Sequence, residues 1–487
     1  MKQAAVFVTL LSLMLSSMDG VAQKNNIQKY VDQLKKDTLF SNSVVGIMVT
    51  DENGKTVASW NPDMPLLTAS TMKTISTGLA MKVLGPDYRF RTKVGYTGEI
   101  RDGILYGDLY IVGGGDPTLG SRDTVAYPVD SVFGEWAKAI SLAGITKISG
   151  NIIGDDRYFE NEIVPGSWAI SNLGPTFGSG PSGLSFMENQ QEFRFTHSGG
   201  AGSPAVIAGV YPVIPGLTIR NEVVTAPGQR GSGTDYRVTE LSRTVKFTGT
   251  IPQGRDTVTF TGSAKFPAVA CAEEFRKFLK QRGVESNPLA YDAESYNVVP
   301  QDQINIIGET TSPELFRIVN VTNRISNNFY AETLYKTLGK ELTGVGSYDS
   351  SRVAVTRLMS SMGLPLRGFS QIDGSGLSRQ NYVSARFFCN YFAKLKEKND
   401  NFELFFESLP QPGGPGTLQN VLSKANPADK KRLHAKSGSL SSVRCYAGYA
   451  ERKNGGMYYF AILTNNYQAR TAQMQPAIEG FLHELIK

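Results

Sequence analysis

The chain has 487 residues, 40% of them hydrophobic, and a formal charge of +6 carried by charges dispersed along its length. That composition supplies ample material for packed cores, and it lacks the basic stripe that nucleic-acid binding requires. Three widely spaced cysteines, Cys271, Cys389 and Cys445, exclude a disulfide scaffold or a zinc site and read as small buried hydrophobes.

The chain opens on Met1-Lys2, an apolar run from Ala4 to Leu15, and Gly20-Val21-Ala22 before Gln23. This predicts a secretory signal peptide over residues 1–22, with an apolar run too short to span a bilayer. No Cys follows the cleavage site for lipid attachment, and no later stretch reads as a membrane helix. The expectation is an exported, periplasmic protein without a transmembrane segment.

"VVGIMVTDENGKTVASWN" (Val44 to Asn61) reads as a hairpin, two apolar runs around Asp51-Glu52-Asn53-Gly54. "STMKTISTGLAMKVLGP" follows, with Met72, Ile75, Leu79, Ala80 and Val83 on one helical face and Gly85-Pro86 as the stop. From about Tyr88 to Asn297 the texture changes to short β runs with frequent glycine, ending in one helical stretch, "VACAEEFRKFLKQRG". Beyond Pro313 long helical patterns return, then two terminal β runs and a last amphipathic helix. This order predicts an α+β protein in which a helix-plus-antiparallel-sheet domain is split by β-rich insertions. The expected parts are 23–90 and 297–487 for the split domain, 91–190 and 268–296 for the insert, and 191–267 for a nested β-rich domain.

Three short motifs carry chemistry. Ser70-x-x-Lys73 is the only Ser-x-x-Lys in the chain, and it opens the helix after the hairpin. Positions i and i+3 share a helix face. A serine hydroxyl needs a base within hydrogen-bond reach, and a lysine serves only when neutral. The bland alternative is a capping Ser with a solvated Lys. Ser-x-Asn occurs four times, but only Ser326-Asn327-Asn328 lies between two helical patterns. There it offers a second hydroxyl and an amide, or simply a helix cap. Lys436-Ser437-Gly438 occurs once and begins a β run. It offers positive charge, a hydroxyl and room for a substrate backbone, or an edge-strand Lys before a turn. No Walker A loop, His-Glu-x-x-His or Gly-x-Ser-x-Gly elbow occurs, and His197, His434 and His483 lack metal-ligand spacing. A nucleophilic serine here would not depend on histidine.

Together and in this order the motifs resemble those of penicillin-binding proteins and serine β-lactamases. Ser70 and Ser326 are 256 positions apart, too far for a compact β-lactamase. With "GDLYIVGGGDPTL", "FSQIDGSGLSRQNYVSA" and "AKSGSLSSVRCYAGY", the chain from Val44 to Asn465 resembles the D-alanyl-D-alanine carboxypeptidase/endopeptidase family typified by penicillin-binding protein 4, peptidase family S13. The resemblance implies a β-lactamase-like penicillin-binding domain carrying two inserted domains. It implies Ser70 as nucleophile, Lys73 as base, Ser326 in the proton relay, Asn328 on the substrate amide and Lys436 shaping the field. Ser437 and Gly438 would receive the substrate, and the backbone N–H groups of Ser70 and Ser439 the oxyanion. Asp155, with Asp156 as its rival, and Arg379 match positions that hold the amino and carboxylate groups of a diaminopimelate side chain in relatives. The implied partners are peptidoglycan stem peptides, with β-lactams as covalent inhibitors and no metal or organic cofactor. The chain departs from the family at Asn327, where the motif usually reads Ser-Asp-Asn, and at Ser437, where it usually reads Lys-Thr-Gly. The competing readings are a β-lactamase, which needs fast hydrolysis of the acyl-enzyme, and a non-catalytic peptidoglycan-binding protein, which would not keep all five motif residues intact.

Overall fold

A computed structural model describes residues 26–228, 233–239, 242–254 and 256–487. The expected leader at 1–22 lies outside the described residues. Contacts divide the chain into two units. One holds residues up to Pro86, Val319–Asn327 and Arg352–Lys487, and the other holds Asp87–Ile318 and Asn328–Ser351.

In the first unit the expected hairpin forms as β1 (Val44–Asp51) and β2 (Thr56–Trp60). Its turn is closed by the Asp51 carboxylate, which accepts from the N–H groups of Asn53 (3.2 Å) and Lys55 (3.0 Å). Three C-terminal strands complete an antiparallel sheet: β3 (Leu433–Leu440), β4 (Val443–Glu451) and β5 (Met457–Asn465). The strand order is β2-β1-β5-β4-β3, which leaves β3 at the edge. The run "MYYFAILTN" of β5 has no polar alternation because both faces of the strand are buried. Tyr458, Phe460 and Ile462 share one core with Met474, Ile478 and Phe481 of the C-terminal helix Thr471–Ile486. On the other face Tyr459 meets Tyr449, which meets Phe392 at a ring separation of 4.9 Å. Each such fully buried aromatic contributes about 1.5–3 kcal/mol.

The helix after the hairpin differs from its expected form. A 3-10 turn, Ala69–Met72, leads into the α-helix, α1, which runs Lys73–Leu84. Every residue from Lys73 to Met81 is buried, so this is a central helix rather than an amphipathic one. Its polar side chains are satisfied locally: Thr74 donates to Thr71 O (2.8 Å), Thr77 to Lys73 O (2.6 Å) and Ser76 to Gly374 O (2.7 Å). Tyr391, on α2 (Ala385–Lys398), donates to the Thr74 carbonyl at 3.0 Å.

The second unit has a five-stranded mixed sheet in the order Ala290–Asp292, Ile152–Asp155, Leu109–Val112, Arg91–Tyr96, Asn305–Thr311. Helices Val129–Leu142 and Pro267–Gln281 share a core in which Phe133, Trp136, Phe275 and Phe278 contact one another. Between Gln190 and Ser263 lie two three-stranded sheets around Phe193, Phe195, Tyr236 and Phe247. The expected return to the split domain at 297 is displaced. Strand Asn305–Thr311 pairs with Arg91–Tyr96, so the insert's sheet closes on residues beyond that boundary.

Candidate active site

Ser70 sits, half-buried, in the 3-10 turn before α1. Ala69, just before it, holds φ +45, a left-handed conformation that is costly for a residue with a Cβ. The turn is anchored from the sheet: Asn465, at the end of β5, accepts from Leu67 N (2.9 Å) and donates to Leu67 O (3.1 Å). One turn on, Lys73 is fully buried, and its Nζ donates to Ser70 Oγ at 2.9 Å and to Ser375 O at 2.9 Å. The i, i+3 spacing therefore does bring hydroxyl and amine into hydrogen-bond contact.

Edge strand β3 carries the third motif. Lys436 is fully buried, and its Nζ donates to Ser437 O at 3.0 Å. Burial holds its pKa well below the ordinary lysine value, and the charges of Lys73 and Arg444 push the same way. Gly438 lets the strand close on the Ser70 turn. A Cβ there would stand 2.6 Å from Thr68 O and 3.0 Å from the backbone nitrogens of Ser70 and Thr71. Ser437 is buried and Ser439 exposed at the edge of the sheet. An edge strand has backbone groups to offer an incoming peptide.

The second motif is divided between the units. Ser326 belongs to the first and holds φ +63. Its segment is tied to α1 through Asn323, whose Oδ1 accepts from Thr77 Oγ1 (3.2 Å) and whose Nδ2 donates to Ser408 Oγ (2.8 Å). Asn328 belongs to the second unit, where it opens helix Asn328–Thr343 and its Nδ2 donates to Phe177 O at 2.8 Å. Among the described residues no group of three or more His, Cys, Asp or Glu could hold a metal ion.

A sequence profile of the D-Ala-D-Ala carboxypeptidase 3 (S13) family matches residues 27–485. The chain belongs to this family. A D-alanyl-D-alanine carboxypeptidase of Actinomadura sp. (strain R39) is 28% identical over 469 residues, covering 92% of this chain and 82% of that one. The D-alanyl-D-alanine carboxypeptidase DacB of Haemophilus influenzae is 23% identical over 433 residues, covering 87% and 86%. The crystal structure of penicillin binding protein 4 (dacB) from the same organism shares the fold, with a TM-score of 0.79 at 21% identity over 92% of this chain and 98% of that one. The chain is thus a serine-type peptidase with an α+β penicillin-binding fold. Among the described residues no helix is long and apolar enough to cross a membrane.

This S13 chain differs from expectation at Asp155. Its carboxylate is fully buried and bound by Arg157 Nε (2.9 Å) and Nη2 (2.6 Å) and by Gln301 Nε2 (3.0 Å). The place expected for a ligand ammonium is taken by a guanidinium. The rival, Asp156, instead lines a cavity of about 550 Å³ with Glu160, Asn161, Glu294 and Lys340. Burial and the charge of Asp292 push its pKa up to about 6. Arg379 is exposed on the loop that runs from Gln371 to Asn381.

That loop holds what sequence reading missed. Asp373 is fully buried, accepting from Gly376 N (2.8 Å), Ser378 N (2.5 Å) and Asn381 Nδ2 (2.7 Å). Asn381 in turn accepts from Ile372 N at 2.8 Å. The two side chains fold "DGSGLSRQN" around itself and so present the Ser375 carbonyl to Lys73. An Asp followed by Gly-Ser-Gly is a turn signal, but nothing in its spacing says which side chain will face that carbonyl. The three cysteines are buried, as expected, and none of them pairs with another.

Proposed function

We propose that this protein is an exported, periplasmic DD-peptidase that cleaves the D-Ala–D-Ala bond of peptidoglycan stem peptides through an acyl-enzyme on Ser70. The observation that carries this reading is the 2.9 Å contact between Ser70 Oγ and a fully buried Lys73 amine.

In the reaction, neutral Lys73 accepts the Ser70 proton as Oγ attacks the penultimate D-Ala carbonyl. An ammonium cannot do this. The charges of Lys436 and Lys73 repel one another. The oxyanion forms between the backbone N–H groups of Ser70 and Ser439, at the point where β3 meets the nucleophile turn. Asn328 holds the substrate amide. Ser326 passes the proton to the departing D-Ala nitrogen as the C–N bond breaks. Ser437 receives the terminal carboxylate, and Lys436 behind it shapes the local field. Water then hydrolyses the ester and restores Ser70. β-Lactams acylate the same oxygen. Cleavage of D-Ala–diaminopimelate crosslinks follows the same steps with a larger leaving group. For the carboxylate of that side chain Arg379 supplies an exposed cation, and for its ammonium Asp156 replaces Asp155, which is held by Arg157.

The test is Ser70→Ala against wild type, with a fluorescent penicillin and with monomeric and crosslinked muropeptides read by mass. The expected result is loss of both labelling and D-Ala release in a folded mutant. Release at a near wild-type rate would sink the proposal. A label lost within seconds from the wild type would indicate a β-lactamase instead.

A further inference from the structure

The second motif raises a question that the reaction leaves open: what holds the Asn328 amide in one orientation? Its Nδ2 donates to the carbonyl of Phe177, in the turn Thr176–Gly178. That turn is tightly seated, since a Cβ on Gly178 would fall 1.6 Å from Asn172 O. The chain then folds back through Gly180–Phe186 under the control of Asn189, which is 1% exposed. Asn189 Oδ1 accepts from Phe186 N (3.0 Å), and Nδ2 donates to Gly180 O (2.8 Å) and to Ser185 Oγ (3.3 Å).

Asn189 closes a strained turn. Met187, Glu188 and Asn189 hold φ of +54, +54 and +49 in succession. Such a conformation is costly for residues with a Cβ, so the surrounding bonds must over-determine it. The turn also returns to the helix that Asn328 opens. Glu188 Oε1 accepts from Ser121 Oγ at 2.6 Å, and Ser121 Oγ accepts from the Tyr330 hydroxyl at 3.0 Å. Tyr330 lies two residues after Asn328 in the same first turn. Met187 N donates to Leu119 O at 2.9 Å, tying the turn to the "GGGDPTLG" loop as well.

We infer that the strained turn Met187–Asn189 is a positioning device for Asn328, acting through the Phe177 carbonyl at one end and the Glu188–Ser121–Tyr330 chain at the other. A task of the second unit is then to hold the Asn328 amide. Glu188, Asn189, Ser121 and Tyr330 are positioning residues, and the inference rests on the reading of Asn328 as the substrate-amide holder. Tyr330 stays a neutral donor, because burial and Glu188 raise its pKa far above neutrality.

A double-mutant cycle tests this. Tyr330→Phe removes one hydroxyl without a change of shape and is made in wild type and in Asn328→Ala. Acylation rates by a fluorescent penicillin are measured on protein titrated for folded molecules, with Tm alongside. Tyr330→Phe should slow acylation about three- to tenfold in wild type, the worth of one hydrogen bond, and less than about twofold in Asn328→Ala. Glu188→Ala should match Tyr330→Phe, and Glu188→Gln, which keeps an acceptor for Ser121, should restore most of the loss. Equal losses in both backgrounds, or none in wild type, would overturn the inference. If Asn328→Ala itself acylates at the wild-type rate, the role given to Asn328 fails first.

Discussion

Lys73 and Lys336 are both buried amines on helices, one in each unit, and their surroundings differ in kind. Lys336 Nζ donates to the carbonyls of Glu160 (3.0 Å) and Glu162 (2.8 Å) and lies 5.2 Å from the ring of Phe159 and 5.4 Å from that of Tyr348. Burial lowers its pKa to about 8, while Glu162, Glu160, Glu332 and Asp156 all act to keep it charged. The carboxylates and rings partly offset that burial, so Lys336 serves as a fastener. Lys73 donates to the Ser70 hydroxyl and to the Ser375 carbonyl, and its charge and that of Lys436 repel. An amine so placed is suited to exchanging a proton. What surrounds a buried lysine, rather than its burial, separates reagent from fastener.

Exchanging the two roles by mutation gives the largest expected contrast. Lys73→Ala should slow penicillin acylation by about a hundredfold to ten-thousandfold, the usual contribution of a general base. Folding should persist, since the α1 core around Ile75 and Leu79 is untouched. Stopped-flow labelling and a thermal melt on one sample read both. Acylation that stays fast and flat with pH in Lys73→Ala would put Lys73 in the fastener class.

Gly438→Ala sharpens the same comparison without touching an amine. Gly438 does not have a left-handed φ, so alanine's cost there is steric. The Cβ must displace backbone at Thr68, Ser70 or Thr71, in or next to the Ser70 turn. A shift of that size should cost about ten- to a hundredfold in acylation rate, with about 1–3 kcal/mol of stability. Acylation within twofold of wild type would mean that β3 does not set the Ser70 position.

The first unit's motif geometry was largely legible because its motifs are local. Ser70 and Lys73 lie one helical turn apart, and Lys436 to Gly438 are consecutive on a strand. Hairpin β1–β2 and the terminal strands announced themselves by turn residues and apolar runs. What failed to show was long-range. Nothing in "VDSVFGEWAKAISL" was read as the helix Val129–Leu142, because it sits among glycine-rich β runs. The pairing of Asn305–Thr311 with Arg91–Tyr96 joins segments more than two hundred residues apart, and no local pattern encodes a partner strand. Asp155 was expected to face a ligand, but whether an Asp meets solvent or an arginine two residues on depends on tertiary burial. Asp373 and Asn381 were passed over for the same reason: their bonds are local, but their consequence, a carbonyl at Lys73, is not.

The smallest effect tests the fastener itself. Lys336 ionises at about pH 8 when folded and near 10.5 when unfolded. Between those values the unfolded chain binds the extra proton, so this residue's contribution to stability rises with pH. It is complete above the unfolded pKa and is lost as pH falls toward 8. Lys336→Met removes the titration. It also leaves the Glu160 and Glu162 carbonyls without this donor, a cost that does not depend on pH. The absolute stability difference therefore mixes terms, while its slope does not. Denaturant melts at pH 8, 9 and 10 should show the wild type gaining on Lys336→Met by about 1 kcal/mol per pH unit. The buried tyrosines titrate in both proteins and cancel in the difference. A flat difference would mean that Lys336 holds its proton as tightly folded as unfolded. The carboxylates and carbonyls around it would then fully offset its burial, and the contrast with the amine pair at Ser70 would be wider still.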